Sequence, residues 1–388
     1  MAIVEWALTN GVPLSTNYCA AAASSGNLEA LKWLKSIGCP WDSRTCSLAA
    51  IHGHLDLIKW ASSEGCPFDI HTPANAASGG YLSIIQWAVE NNCEWDGRIA
   101  AYAASSGHID IIQYIVKNKL QYEDSLWAAC ARSNQLDILK WLIEYGLEPN
   151  TIIASHAAKY GHLRILEYTK EIGCFFQECI EESAFHGHLH ILKWALENKC
   201  NLSSVCYSAS KGGHLHIIQW AFENKLPWDD WAIQKATRYG HLAIVEFLLS
   251  NGASWSTTCA TNAIRGGHTD IIIMAHSKGL YIPSNLLYEA SMSGDLRTLQ
   301  WGVENGYCLD EECLKTAVER GYTEVVKWMC EKKCMWSEKI TKSAVRSVEI
   351  LKILLEYGCP WDRKLCIQKL VEAEEYEFLI WERDRNKQ

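Results

Sequence analysis

An all-α solenoid of stacked helix pairs is the fold class this sequence predicts. Three observations carry it. First, a glycine recurs at Gly26, Gly53, Gly80, Gly107, Gly161, Gly187, Gly213, Gly240, Gly267, Gly294 and Gly321, with Asn134 once in its place. Nine of the eleven spacings are 27 residues and two are 26. A fixed period of this length means stacked supersecondary units. Second, small and apolar residues ahead of the glycine keep a helical spacing, as at Cys46, Ala49 and Ala50. Third, Leu55, Leu57, Ile58 and Ala61 behind it line one face of a second helix.

Taken in order, each unit opens on N-cap chemistry. Ser15, Asp42, Asp69, Asp96, Asn150, Asp229, Ser256, Asp310, Ser337 and Asp362 precede the first helix; such side chains accept from free backbone N–H groups. Paired alanines then let the helix approach its neighbours closely. The repeat glycine suits a turn at positive φ. Acidic residues near the start of the second helix (Glu29, Asp56, Asp110, Asp137, Asp270, Glu324) complement its positive dipole end.

The period sets the expected organisation: one array over 1–388. Residues 1–14 read as a half repeat, because Ile3, Val4, Trp6 and Ala7 align with Leu57, Ile58, Trp60 and Ala61. The chain therefore opens inside a repeat, as a fragment or a natural cap. Twelve repeats follow over 15–335, then a shortened repeat over 336–360 that has lost its Gly-His step. A divergent cap over 361–388 ends in Glu382-Arg383-Asp384-Arg385-Asn386-Lys387. Polar, atypical ends are what stops a solenoid from stacking further.

Composition narrows the function classes. The 36 basic and 45 acidic residues give a formal net charge of −9, against bulk attraction to nucleic acid or anionic membrane. No apolar run is long enough to span a bilayer and no signal-peptide pattern opens the chain. The expectation is an intracellular, cytoplasmic protein without membrane contact. The 17 cysteines follow the period. Cys39, Cys66, Cys93, Cys174, Cys200 and Cys334 share one column, and Cys19, Cys46 and Cys206 another. Such recurrence implies reduced thiols used as small apolar fillers. Two tryptophan columns (Trp33, Trp60, Trp87, Trp141, Trp194, Trp220, Trp301, Trp328; Trp41, Trp95, Trp228, Trp255, Trp336, Trp361) are expected to fill seams between units. The other use of such rings is a base-stacking ladder, which needs exposed rings beside cations.

No chemistry of catalysis stands out. There is no glycine-rich phosphate loop after a strand and no Gly-x-Ser-x-Gly elbow. Seven histidines follow the repeat glycine or its counterpart: His54, His108, His162, His188, His214, His241 and His268. Hydrogen bonding to nearby backbone is their expected work. His186, His188, His190, His214 and His216 form the densest cluster, where metal capture is the lesser reading. No enzyme activity, cofactor or metal is expected.

Ala49-Ala50-Ile51-His52-Gly53-His54-Leu55-Asp56-Leu57-Ile58-Lys59 resembles the ankyrin repeat. So do Ala157-Ala158-Lys159-Tyr160-Gly161-His162-Leu163 and Tyr239-Gly240-His241-Leu242-Ala243-Ile244-Val245-Glu246-Phe247-Leu248-Leu249. The standard ankyrin unit is about 33 residues with a projecting finger. This unit lacks the residues of that finger, so tight loops without β-hairpins are expected. The Gly-Cys-Pro-Trp-Asp variant at Gly38–Asp42 and Gly358–Asp362 resembles the arrays of giant DNA viruses of amoebae, which would place the chain in host cytoplasm.

The resemblance implies a concave binding face carrying the two residues ahead of each glycine. Those pairs vary between copies while their neighbours do not. They include Arg132, Lys159-Tyr160, Phe185, Lys211, Arg238-Tyr239 and Arg265. The expectation is one basic, aromatic stripe binding an acidic or phosphorylated protein segment. The bland alternative is that exposed helix positions simply favour Lys and Arg. The expected function is a monomeric, non-enzymatic interaction scaffold, with nucleic acid disfavoured as a partner. The alternatives are the substrate-recognition part of a ubiquitin-ligase adaptor lacking its recruiting box, and a nucleic-acid-binding solenoid.

Overall fold

The computed structural model describes residues 10, 11, 13–174 and 177–385. The apolar residues of the expected half repeat, Ile3, Val4, Trp6 and Ala7, lie outside them, as do Asn386 and Lys387. Among the described residues every regular element is an α-helix, with no strand and no hairpin finger. The twenty-eight helices run seven to ten residues and alternate as first and second members of pairs.

The chain divides after Asn201 into two compact units, each described by itself. The first holds seven pairs, from Thr16–Ser24 with Leu28–Ser36 to Glu178–Phe185 with Leu189–Glu197. The second also holds seven, from Val205–Gly212 with Leu215–Glu223 to Arg363–Glu372 with Tyr376–Arg385. The segment expected as a cap thus forms a full pair. Within each unit the first helices lie side by side, and each second helix packs on its own first helix.

The N-terminal caps form nearly as the sequence implies. Asp42 accepts from the Arg44 N–H at 3.1 Å, Asp229 from Trp231 at 3.1 Å and Asp310 from Cys313 at 2.9 Å. Asp69, Asp96, Asn150, Ser256, Ser337 and Asp362 act in the same way. Ser15 does not cap with its side chain. Each such cap contributes about 0.5–2 kcal/mol. Every repeat glycine takes a positive φ, between 69° and 86°, and Asn134 follows at 58°.

The core is the paired columns. Ala49, Ala50, Ala103, Ala104, Ala157 and Ala158 have no exposed surface, so first helices meet with almost no side chain between them. Second helices supply bulk, as with Ile111, Ile112 and Ile115, all fully buried. Each buried aliphatic contributes about 1.5–3 kcal/mol. The thiols close each repeat: Cys39 Sγ donates to the Ser15 carbonyl at 3.4 Å, Cys93 to Asp69 at 3.2 Å and Cys334 to Asp310 at 3.3 Å. None of the seventeen cysteines is in a disulfide, and thirteen are buried.

The tryptophans fill seams. Trp41 meets Trp60 edge-on at 6.0 Å. The indole N–H of Trp95 donates to the Gln121 carbonyl at 3.0 Å, and that of Trp255 to Tyr281 at 2.8 Å. Only Trp231 is exposed among the described tryptophans.

Candidate functional site

The expected site residues sit on the last turns of first helices. In the first unit Arg132 ends Ser125–Arg132, Lys159 and Tyr160 end Ile152–Tyr160, and Phe185 ends Glu178–Phe185. In the second, Lys211 lies in Val205–Gly212, Arg238 and Tyr239 end Asp230–Tyr239, and Arg265 ends Thr257–Arg265. A cation there also interacts favourably with the negative end of its helix, by about 0.3–1 kcal/mol.

Their backbone is held by the histidines, which reach further than a local turn. His162 Nε2 lies 2.8 Å from the Arg132 carbonyl, and His188 Nε2 lies 2.8 Å from that of Lys159. In the second unit His241 meets the Lys211 carbonyl at 3.3 Å and His268 that of Arg238 at 2.9 Å. A carbonyl only accepts, so Nε2 carries the proton in each case. Each ring thus bridges from one repeat to the carbonyl two residues ahead of the preceding glycine.

The same rings explain why that position is glycine. A Cβ on Gly240 would stand 2.5 Å from the His268 ring, and one on Gly213 2.6 Å from His241. Tyr81 covers Gly53 in the same manner, and Gln135 lies against Gly107. His190 is engaged too, with Nε2 2.9 Å from the Gly161 carbonyl. Among the described residues no group of three or more His, Cys, Asp or Glu side chains is placed to hold a metal ion.

The side chains differ in what remains available. Arg132, Lys159 and Arg238 are exposed, with no ion pair or side-chain hydrogen bond among the described residues. Tyr160 is 41% exposed and Tyr239 43%. The Lys159 ammonium lies 5.8 Å from the centre of the Tyr160 ring, which stacks on His156. Phe185 is half-buried, edge-on to His186 at 4.9 Å. Lys211 is half-buried.

Arg265 is already engaged. Its Nε lies 2.7 Å from Glu289 Oε2 and its Nη2 3.1 Å from Oε1, and the Glu289 carboxylate is buried. Reading columns of cations alone missed this partner, since Glu289 lies 24 residues on, out of the repeat register. His156 was also missed. Burial and the nearby Lys159 and Arg132 charges hold it below the ordinary imidazole range, so it adds no charge to the face near neutral pH.

These features define a class: a helix-pair repeat scaffold whose framework is built from repeat-to-repeat clasps and whose first-helix ends carry the variable side chains. Within it, residues 206–249 match the family model for ankyrin repeats (many copies), and the repeat is ankyrin-like in nature. No curated protein matches the sequence. Among solved structures, the human ASB11 ankyrin repeat domain is similar at 20% identity, with 41% of this chain and 85% of that chain covered and a TM-score of 0.36. The pentatricopeptide repeat protein PPR10 from maize is similar at 12% identity over 95% of this chain and 69% of its own, TM-score 0.32. PPR10 in complex with an 18-nt psaJ RNA element gives 12%, 95%, 73% and a TM-score of 0.27. The last finding corrects the expectation that disfavoured nucleic acid: repeat solenoids similar to this chain include an RNA complex. No helix of the described residues is long and apolar enough to cross a membrane.

Proposed function

We propose that the chain is a non-catalytic repeat scaffold that holds an acidic or phosphorylated protein segment across the last turns of its first helices. The observation that carries the reading is an arrangement found at Arg132 and Lys159 in the first unit and again at Arg238 in the second. Their carbonyls are clamped by histidine while their charged ends make no ion pair among the described residues, and the exposed Tyr160 and Tyr239 directly follow Lys159 and Arg238. A rigid backbone with free cations is preorganised for anionic groups, so little ordering opposes binding. Phe185 ends the next first helix of the first unit; in the second unit Lys211 and Tyr239 lie at the same helix ends as Arg238, and Arg265 stands there only as half of a neutral pair. We further propose that the whole chain is one array of the giant-virus ankyrin type, working inside the cell.

A single-stranded nucleic acid is the second reading. Cations beside exposed tyrosine rings, as at Lys159-Tyr160 and Arg238-Tyr239, are the parts a strand uses for phosphate contact and base stacking. The test is titration with a fluorescent poly-glutamate peptide and with an oligouridylate at rising salt. A partner held by several phosphate contacts loses affinity steeply with salt. Tight peptide binding with a shallow slope supports the first reading. Oligouridylate binding that is tighter and steep selects the second.

A further inference from the structure

The seven-residue helix Glu338–Ala344 is the shortest described, and behind it the clasp is missing. Ser347 stands where other repeats place histidine, directly before the second helix Val348–Glu356. Its short side chain caps that helix by accepting from the Ile350 N–H at 3.5 Å. No ring therefore covers the preceding repeat glycine. A Cβ built on Gly321 would meet nothing within 4 Å, whereas Gly240 and Gly294 are covered by His268 and Tyr322.

Nearby, an open cavity of about 870 Å³ lies at the first-helix ends of three consecutive repeats of the second unit. Arg320, Lys342, Arg346 and Lys369 line it, with Glu319 and Glu372. Arg346 and Lys369 have no hydrogen bond or ion pair among the described residues. Arg320 meets only the Met292 sulfur, at 3.8 Å, and the nearest carboxylate to Lys342 is Asp362, at 3.8 Å. Glu319 and Glu372 accept from the neutral donors Ser343 and Gln368, at 3.4 and 2.9 Å. Lys342 is thus paired with Asp362, and Arg320, Arg346 and Lys369 remain as three cations beside Glu319 and Glu372, neither of which pairs with any of them.

We infer that this cavity is a binding site for a phosphorylated side chain on a partner protein segment. A phosphate monoester carries close to two charges near neutral pH, and the three cations without a carboxylate partner are there to meet it. Guanidinium groups at Arg320 and Arg346 offer the forked donors that grip such a group bidentately. A nucleic acid strand fits less well, because successive phosphates would have to pass Glu319 and Glu372. The inference deepens the proposed function and rests on its reading of an anionic protein partner, but at residues separate from Arg132, Lys159 and Arg238.

The experiment uses the full chain and a fluorescein-labelled Gly/Ala peptide with one central phosphoserine. Its unphosphorylated twin, inorganic phosphate and an oligouridylate serve as competitors. We expect the phosphopeptide to bind about tenfold or more tighter than its twin, and Arg346→Gln with Lys369→Gln to abolish that preference. Arg346→Lys, which keeps the charge and loses the fork, should retain part of it. Both positions are exposed, so the thermal melting curve should not move. The pair Arg132→Gln with Lys159→Gln should leave the preference in place. Equal binding of the two peptides overturns the inference. So does loss of the preference in the Arg132/Lys159 pair alone, which would leave the proposed function standing. Displacement by oligouridylate but not by inorganic phosphate makes the cavity a nucleic-acid site and also overturns it.

Discussion

Replacing Gly240 by alanine separates the two reasons for a repeat glycine. The residue sits at φ +80°, and its Cβ would stand 2.5 Å from His268 Nδ1 and 2.6 Å from Cε1. The left-handed conformation alone disfavours alanine by about 1–2 kcal/mol. Expelling the ring also breaks the 2.9 Å bond from His268 Nε2 to the Arg238 carbonyl. That adds about 0.5–1.5 kcal/mol for the hydrogen bond. The total expected loss is about 1.5–3.5 kcal/mol. Gly252 is the internal control: φ is +94° and nothing lies within 4 Å of its added Cβ, so Gly252→Ala should show the strain term only. The assay is urea unfolding followed by far-ultraviolet circular dichroism, on both single variants, on His268→Ala and on Gly240→Ala with His268→Ala. In the double variant the glycine substitution should cost no more than at Gly252, giving a coupling of about 1 kcal/mol between the two sites. Equal losses at Gly240 and Gly252, or strict additivity with His268→Ala, would refute the clasp as the reason for glycine.

Three further outcomes follow from the structure. Lys119 and Lys225 hold φ near +55° after their second helices, where other repeats place glycine; Lys119→Gly and Lys225→Gly should each raise stability by about 1 kcal/mol in urea unfolding, and Lys→Ala should not. The thiols should make the fold sensitive to alkali. Burial pushes Cys130 and Cys206 from an ordinary 9.0 up to about 12. Their stabilising contribution is complete below pH 9 and is lost as pH rises towards 12, because the unfolded chain releases those protons first. The slope is about 1.4 kcal/mol per pH unit per thiol in that window. Cys130→Ala with Cys206→Ala should flatten unfolding free energy against pH between 9 and 11, and an unchanged slope would contradict the assignment. At neutral pH a thiol reagent should modify the exposed Cys308 at once and the buried thirteen only on unfolding.

Much of the architecture was legible because a repeat makes one sequence state the same physical requirement a dozen times. The glycine column implied positive φ, and every member has it. The Asp, Asn and Ser column implied caps, and Asp42, Asp229 and Asp310 cap with their side chains. What a column cannot show is where its side chain reaches in the neighbouring copy. His162 and His268 were expected to bond nearby backbone, and they bond a carbonyl 30 residues earlier. The reach depends on how pairs stack, which periodicity leaves open. Arg265 was read with its column although Glu289 takes its charge, because the partner appears in one copy and not in the others. The division after Asn201 had only a faint trace, the two 26-residue spacings at Gly161, Gly187 and Gly213. The C-terminal cavity had only an indirect one: the Gly-His step is lost at Arg346-Ser347, and Arg346 is among the residues that line the space.

The central claim is that free cations on clamped first-helix ends hold an anionic protein segment. The most direct measurement is fluorescence anisotropy of a labelled poly-glutamate peptide on the full chain, at 0.1 M salt, with Arg132→Glu, Lys159→Glu and Arg238→Glu combined. Arg265 stays unchanged because reversing it would set two carboxylates against each other at Glu289. Each exposed pair contributes about 0–1 kcal/mol, so three reversals together should weaken binding by about tenfold or more. Far-ultraviolet circular dichroism should show the fold intact, and melting should fall only by the lost helix-end interactions, about 0.3–1 kcal/mol or somewhat more at each site. Affinity within twofold of the parent chain would show that these cations are only a solvated helix face.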